Sequence, residues 1–367
     1  MHGFRDVMAL HLSPGSKEEL IVGKFGYCEK PVWSFNEKWI VFSEGFSSLF
    51  QVPTSGGEPI RITSADNSAN MPHSSLDSNR LVYSNEEWKT DIYRMALGTP
   101  QSTPERVIDS TVRDFNAQIS PHGDALVFST NRNGYFQIWI ASSNGSNPKP
   151  LTESRYQFAC CSSWSPDGSE IAFTALIDGN WDIYTVSREG GTPNRFTTHS
   201  AHEGRPTYTP DGKNIYFYSD REDRREIWKQ SKRGKPNPQR ITYGGGYDVR
   251  VNSLSIFYTR TFDDPGLWIS DLNGHGAEPI QGLGDVRSGM WALTSDAIYW
   301  AHKKDAGYEV FRYDLKSRAK DLAPLAIFSA DIWDTPPVIS VSADGKMLFW
   351  HATDYHESDL VLLNDLF

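Results

Sequence analysis

Ser165-Pro166-Asp167-Gly168-Ser169-Glu170-Ile171-Ala172-Phe173 is the stretch that decides the fold of this chain. Pro presets φ, Asp bonds back to its own backbone and Gly accepts a positive φ, so residues 165–168 read as a tight turn. The turn delivers the chain into Ile171-Ala172-Phe173, whose branched and aromatic residues read as a strand. That strand recurs as Ile40-Val41-Phe42, Leu81-Val82-Tyr83, Leu126-Val127-Phe128, Ile215-Tyr216-Phe217, Ile256-Phe257-Tyr258, Ile298-Tyr299-Trp300 and Leu348-Phe349-Trp350. The closing aromatics, at 42, 83, 128, 173, 217, 258, 300 and 350, lie 41 to 50 residues apart. Periods of that length mark an array of one supersecondary unit.

The rest of the unit repeats too. After the aromatic strand comes an acidic–aliphatic–aromatic segment, as in Asp91-Ile92-Tyr93, Asp182-Ile183-Tyr184, Glu226-Ile227-Trp228 and Glu309-Val310-Phe311. A second turn (Gly56-Gly57, Asn144-Gly145, Gly190-Gly191) leads to a short strand ending in Thr, as in Arg61-Ile62-Thr63, Arg195-Phe196-Thr197 and Arg240-Ile241-Thr242. Four antiparallel strands every forty-odd residues make a propeller blade, which buries its aromatics only by stacking on its neighbours. The expected fold is therefore all-β: one closed β-propeller of four-stranded antiparallel blades spanning residues 1–367, with eight blades, or seven as the alternative. The repeats run over about 31–63, 71–108, 117–152, 161–197, 205–242, 248–281, 288–323 and 337–363, and residues 1–23 are expected to supply a strand that completes the last blade. The recurring aromatics are assigned to the core between blades.

The formal net charge is −10, which argues against a nucleic-acid grip by this chain. The basic run from Arg221 to Lys235 reads as a solvated hairpin face. Three cysteines, Cys28, Cys160 and Cys161, make no disulfide framework and lack metal-ligand spacing, so all three read as buried thiols. No stretch reaches the roughly 20 apolar residues of a membrane span. The N-terminal residues lack a secretion signal, so the expected location is cytoplasmic, or periplasmic if a leader is missing from the sequence.

The pattern Trp164-Ser165-Pro166-Asp167-Gly168, Ile171-Ala172-Phe173, Asp182-Ile183-Tyr184, Gly190-Gly191 and Arg195-Phe196-Thr197 resembles the TolB-like, WD-type propeller repeat. That family's repeat occurs in the Tol-system periplasmic protein, in tricorn-type proteases and in the propellers of prolyl oligopeptidases. The C-terminal half, with Arg205-Pro206-Thr207-Tyr208, Gly244-Gly245-Gly246-Tyr247, Pro265-Gly266-Leu267-Trp268 and Glu357-Ser358-Asp359-Leu360-Val361-Leu362, is similar to the propeller half of bacterial winged-helix transcriptional regulators. The resemblance implies a sensory or protein-contact role, and DNA binding is not carried over because no winged helix is present in these residues.

Propellers place ligands where loops lead into the first strand of each blade, at the mouth of the central channel. The residues expected there include Arg113, Asp114, His202, Glu203, Arg205, Asp248, Arg250 and Arg287. Their arginines suit a carboxylate or phosphate held bidentately. A protein partner or a small anionic or sugar ligand is the expected occupant, with no cofactor or metal. The alternative is a polysaccharide lyase or hydrolase acting on acidic glycans. Lyase chemistry needs a base, an acid and a group that neutralises the uronate, roles open to His202, Tyr247 and Arg205. Neither a Gly-x-Ser-x-Gly elbow nor an HExxH motif is present.

Overall fold

The computed structural model describes residues 7–10, 18–22, 28–44, 48–63, 68–75, 77–98, 102–153, 156, 158–177, 179–305, 307–330 and 337–364. The chain divides into two compact units, Lys89–Asp354 and Met1–Trp88 with Tyr355–Phe367. The described residues form strands and turns, with no helix among them.

In the larger unit the repeat appears as five successive sheets, each with its four repeat strands in chain order. They begin with the strands Asp114–Ile119, Phe158–Trp164, Glu203–Tyr208, Asp248–Val251 and Trp291–Leu293. A further sheet starts with Ser340–Val341, continues into Met347–Asn364 and then takes up Arg80–Ala96 and Glu105–Ile108 from the other end of the chain.

Each sheet is held by a ladder that the repeat motif spells out. Phe173 stands across from Tyr184 and Tyr184 across from Arg195; Phe217, Trp228 and Arg240 repeat the arrangement. Directly opposed aromatics each add roughly 0.2–1 kcal/mol to a sheet. The rings face the neighbouring sheet: Phe128, Phe173, Phe217 and Trp300 are fully buried.

The motif's acid and its closing Thr form a second device. Thr242 Oγ1 accepts the Ile227 N–H at 2.8 Å and donates to Glu226 Oε2 at 2.6 Å. Glu226 also receives Arg240 Nη2 and the Gly245 N–H, each at 3.0 Å. Thr197 links Ile183 N–H to Asp182 in the same way, and Thr152 and Thr63 accept the corresponding N–H groups of Ile138 and Leu49. Thr242→Val removes a donor from a buried carboxylate and the acceptor from a buried N–H at once. Its expected cost is about 2–3 kcal/mol, read as a lower urea midpoint, while Thr242→Ser stays close to the parent. Equal midpoints for the Val and Ser variants would remove this role.

The smaller unit holds the hairpin Val7–Leu10 with Glu18–Val22, and a four-stranded sheet of Cys28–Trp33, Trp39–Glu44, Ser48–Pro53 and Ile60–Arg61. In it Ser68–Ser74 pairs with the first part of Arg80–Ala96. Of residues 1–23, the described strands pair only with each other, so the strand expected to complete the last repeat is not seen there. The sheet that begins at Ser340–Val341 is completed instead by Arg80–Ala96, hydrogen-bonded to Met347–Asn364, and by Glu105–Ile108 beyond it.

Repeats 71–108 and 337–363 differ from the other six in one respect. Their second and third strands are continuous, at 17 and 18 residues, with no hairpin between them. The cause lies in residues 84–90 and 351–358, which contain no Gly or Pro. The other repeats turn at residues such as Gly134, Gly179 and Gly266, all at positive φ.

Candidate functional site

Three first strands of the larger unit bulge at the same point. The register shifts between Phe115 and Gln118, between Cys160 and Ser163, and between Gly204 and Thr207. Each bulge holds a non-glycine residue at positive φ: Asn116 at 55°, Cys161 at 58° and Arg205 at 52°. The smaller unit repeats it with Lys30 at 48° and Met71 at 49°. Every one of these residues lies 12 positions before its repeat's closing aromatic. A left-handed non-glycine residue costs roughly 1–2 kcal/mol, so the feature belongs to the design of the repeat. The bulge breaks the alternation of side chains along a strand and re-aims one of them. Asn116, Cys161 and Arg205 all end up lining one cavity.

That cavity measures about 190 Å³ and is bordered by residues of six first strands, from Asn116 round to Ser340. Ser340–Val341 packs against both Asp114–Ile119 and Trp291–Leu293, and the Ile119 N–H donates to Ser340 Oγ at 3.1 Å. Among the described residues three charged side chains line it: Arg205, Asp248 and Arg250. Arg250 Nη1 reaches Asp248 Oδ1 at 2.6 Å, the Gly289 N–H donates to Oδ2 at 2.8 Å, and Arg205 Nη1 stands 3.9 Å from Oδ2. Arg205 lies over the Tyr247 ring at 4.9 Å and Arg250 over Trp291 at 5.4 Å. Burial works against the Asp248 charge, but Arg250, Arg205 and the Gly289 N–H outweigh it and hold the carboxyl below its usual range.

The expected site residues separate into two groups. Arg205, Asp248 and Arg250 meet in the cavity; Arg113, Asp114, His202, Glu203 and Arg287 do not line it. Asp114 is buried against Arg132 at 2.9 Å and Ser110 at 2.6 Å, and Glu203 is buried against Arg221 and Ser219. In both sheets the acid opens the first strand, stands across from a Ser or Thr, and binds an Arg two residues beyond it. Asp248 occupies the same position across from Thr259, but Thr261 replaces that arginine. Its charge is met from the cavity instead. The His202 N–H donates to Asp220 at 2.8 Å, with the imidazole 3.7 Å from that carboxylate. The Arg113 N–H donates to Asn131, and Arg287 Nε lies 3.2 Å from Asp285. Of the lyase set, Tyr247 and Arg205 touch each other while His202 faces Asp220.

The cavity also contains a thiol. Cys160 is buried, but Cys161 is partly exposed and lines the cavity, in contrast to the expected three buried thiols. The sequence signal for it was the bulge register shared with Asn116 and Arg205. Among the described residues no group of three or more metal-ligating side chains converges. No helix there is long and apolar enough to cross a membrane.

Antiparallel four-stranded sheets whose first strands border a charged cavity define the class as propeller-like. A family model described as a TolB beta propeller domain matches residues 154–260. The uncharacterized protein Atu1656 of Agrobacterium fabrum is 30% identical over 225 residues, covering 56% of this chain and 75% of that protein. The chain belongs to the TolB-like β-propeller family. Dipeptidyl-peptidase 5 of Porphyromonas endodontalis is 23% identical over 293 residues, but these cover 40% of its length against 71% of this chain. The crystal structure of TolB from Acinetobacter baumannii has a TM-score of 0.49 at 16% identity, covering 75% of this chain and 67% of that one.

Proposed function

We propose that Lys89–Asp354 is a closed propeller of six blades whose cavity binds a small carboxylate or a carboxylate-bearing partner segment. Supporting closure, Ser340–Val341 packs against the first strands on both sides of it. The observation that carries the binding reading is the charge balance of the cavity: two arginines converge on one aspartate. Among the described lining residues one positive charge is left over, within a protein of net charge −10. A carboxylate beside Arg205 and Arg250 would balance it through charge-assisted hydrogen bonds, with Asn116 and Ser340 as further polar neighbours. This is a binding and sensing role, and it suits the sensory part of a regulator as the resemblance in the C-terminal half implies. A small ligand whose seat is already strained and preorganised loses little entropy on binding.

The test is a thermal-shift and calorimetric titration with small carboxylates (acetate, succinate, galacturonate) and their amides or neutral analogues. Saturable stabilisation by a carboxylate is expected, with the neutral analogue inert. Arg250→Gln should weaken it tenfold or more. No carboxylate-dependent shift would overturn the reading, and release of unsaturated product from a uronate polymer would replace it with the lyase.

A further inference from the structure

We propose that Cys160 and Cys161 form a redox-active pair that reduces small disulfides entering the cavity and closes to an internal disulfide. Adjacent residues of a regular strand point to opposite faces, which holds neighbouring sulfurs apart. Here Cys161 sits in the bulge at φ 58°, the alternation is broken, and its Sγ lies 2.7 Å from that of Cys160. Cys161 is the sulfur that faces the cavity, and Asn116 Nδ2 approaches it at 3.7 Å. The two thiols are electronically unlike. Contact with Cys160, aided by Arg205 and Arg250, outweighs burial and the Asp248 charge and draws Cys161 below the usual thiol range, while the same contact and burial push Cys160 up. An accessible attacking thiol beside a buried resolving one is the arrangement that thiol–disulfide exchange requires.

The chemistry balances as a two-electron exchange. The Cys161 thiolate attacks one sulfur of the small disulfide, whose S–S bond breaks; a mixed disulfide forms and the departing thiolate takes up a proton. Cys160 loses its proton and attacks Cys161 Sγ, expelling the second small thiol. The protein has then lost two electrons and two protons, and the substrate has become two thiols. A ring closed between adjacent residues departs from relaxed disulfide geometry, so excess thiol reopens it readily.

The experiment uses bis(2-hydroxyethyl) disulfide, small and uncharged, so that its outcome is independent of carboxylate binding. The reduced full chain is incubated with it and analysed by intact mass, thiol count and peptide mapping. Loss of two of the three thiols is expected, with no adduct retained, Cys28 still reduced and the lost hydrogens mapped to the peptide holding residues 160 and 161. Cys160→Ser should instead hold one persistent adduct on Cys161. The proposal is overturned if the wild-type pair keeps both thiols, or if it accumulates an adduct without closing. Either result is read on the unmutated protein.

Discussion

Asp248→Ala is expected to lower the stability of the protein by about 3–5 kcal/mol, because it removes the fully buried carboxylate that two partly buried guanidinium groups share. Arg250 loses its 2.6 Å partner, the Gly289 N–H loses its acceptor, and Arg205 keeps the Tyr247 ring but no carboxylate within 4 Å among the described residues. For a unit of this size, that corresponds to a fall in Tm of roughly 10 °C by calorimetry. The pH dependence follows from the direction of the Asp248 shift. Its folded pKa is depressed, so its contribution is fully present above the unfolded value of about 4 and disappears as pH falls through the folded one. The gap between parent and variant should therefore be constant from pH 5 to 8 and narrow only in acid. Acetate should restore part of the loss in Asp248→Ala, since its carboxylate can occupy the vacated position. A variant that melts with the parent at pH 7 would show that the arginines are solvated without Asp248.

The elements legible in the sequence are those determined by local chemistry. Phe173, Tyr184 and Arg195 could be aligned from their recurrence alone, and the ladder places them face to face. The Asp167 turn was equally plain: Ser165 Oγ donates to its carboxylate at 2.6 Å, as Thr209 does to Asp211. Pairing between distant segments was not legible. Nothing local to residues 84–90 or 351–358 says that Arg80–Ala96 finds Met347–Asn364; the missing turn residues say only that neither folds back. The candidate site divides along the same line. Arg205, Asp248 and Arg250 could be gathered from their places at strand starts, yet Asp114 and Glu203 share those places. What separates them is an arginine two residues past the opposing strand position, Arg132 and Arg221, which Asp248 lacks. The cavity position of Cys161 was not legible, because a cysteine pair in a strand reads as buried core until its bulge register is set beside Asn116 and Arg205.

Gly145→Ala and Gly274→Ala are each expected to cost about 4 kcal/mol or more, and together they test how neighbouring sheets are spaced. Both glycines close the turn between third and fourth strands, after Asn144 and Asn273, at φ 85° and 87°. A Cβ on Gly145 would overlap the carbonyl of Val107, and one on Gly274 the carbonyl of Ile241. Those carbonyls belong to the outermost strand of the preceding sheet or the residue just after it, so the clash is with backbone that cannot rotate away. Two costs are combined at these sites, the left-handed conformation and the overlap. Gly190 separates them: it closes an equivalent turn at φ 93°, but a methyl group added there would meet no atom within 4 Å. Gly190→Ala should therefore show the conformational cost alone, about 1 kcal/mol. The excess in the other two variants measures the close approach of one sheet's hairpin to its neighbour's edge. Chemical denaturation of the three variants checks this, and equal midpoints would mean that the sheets can move apart freely.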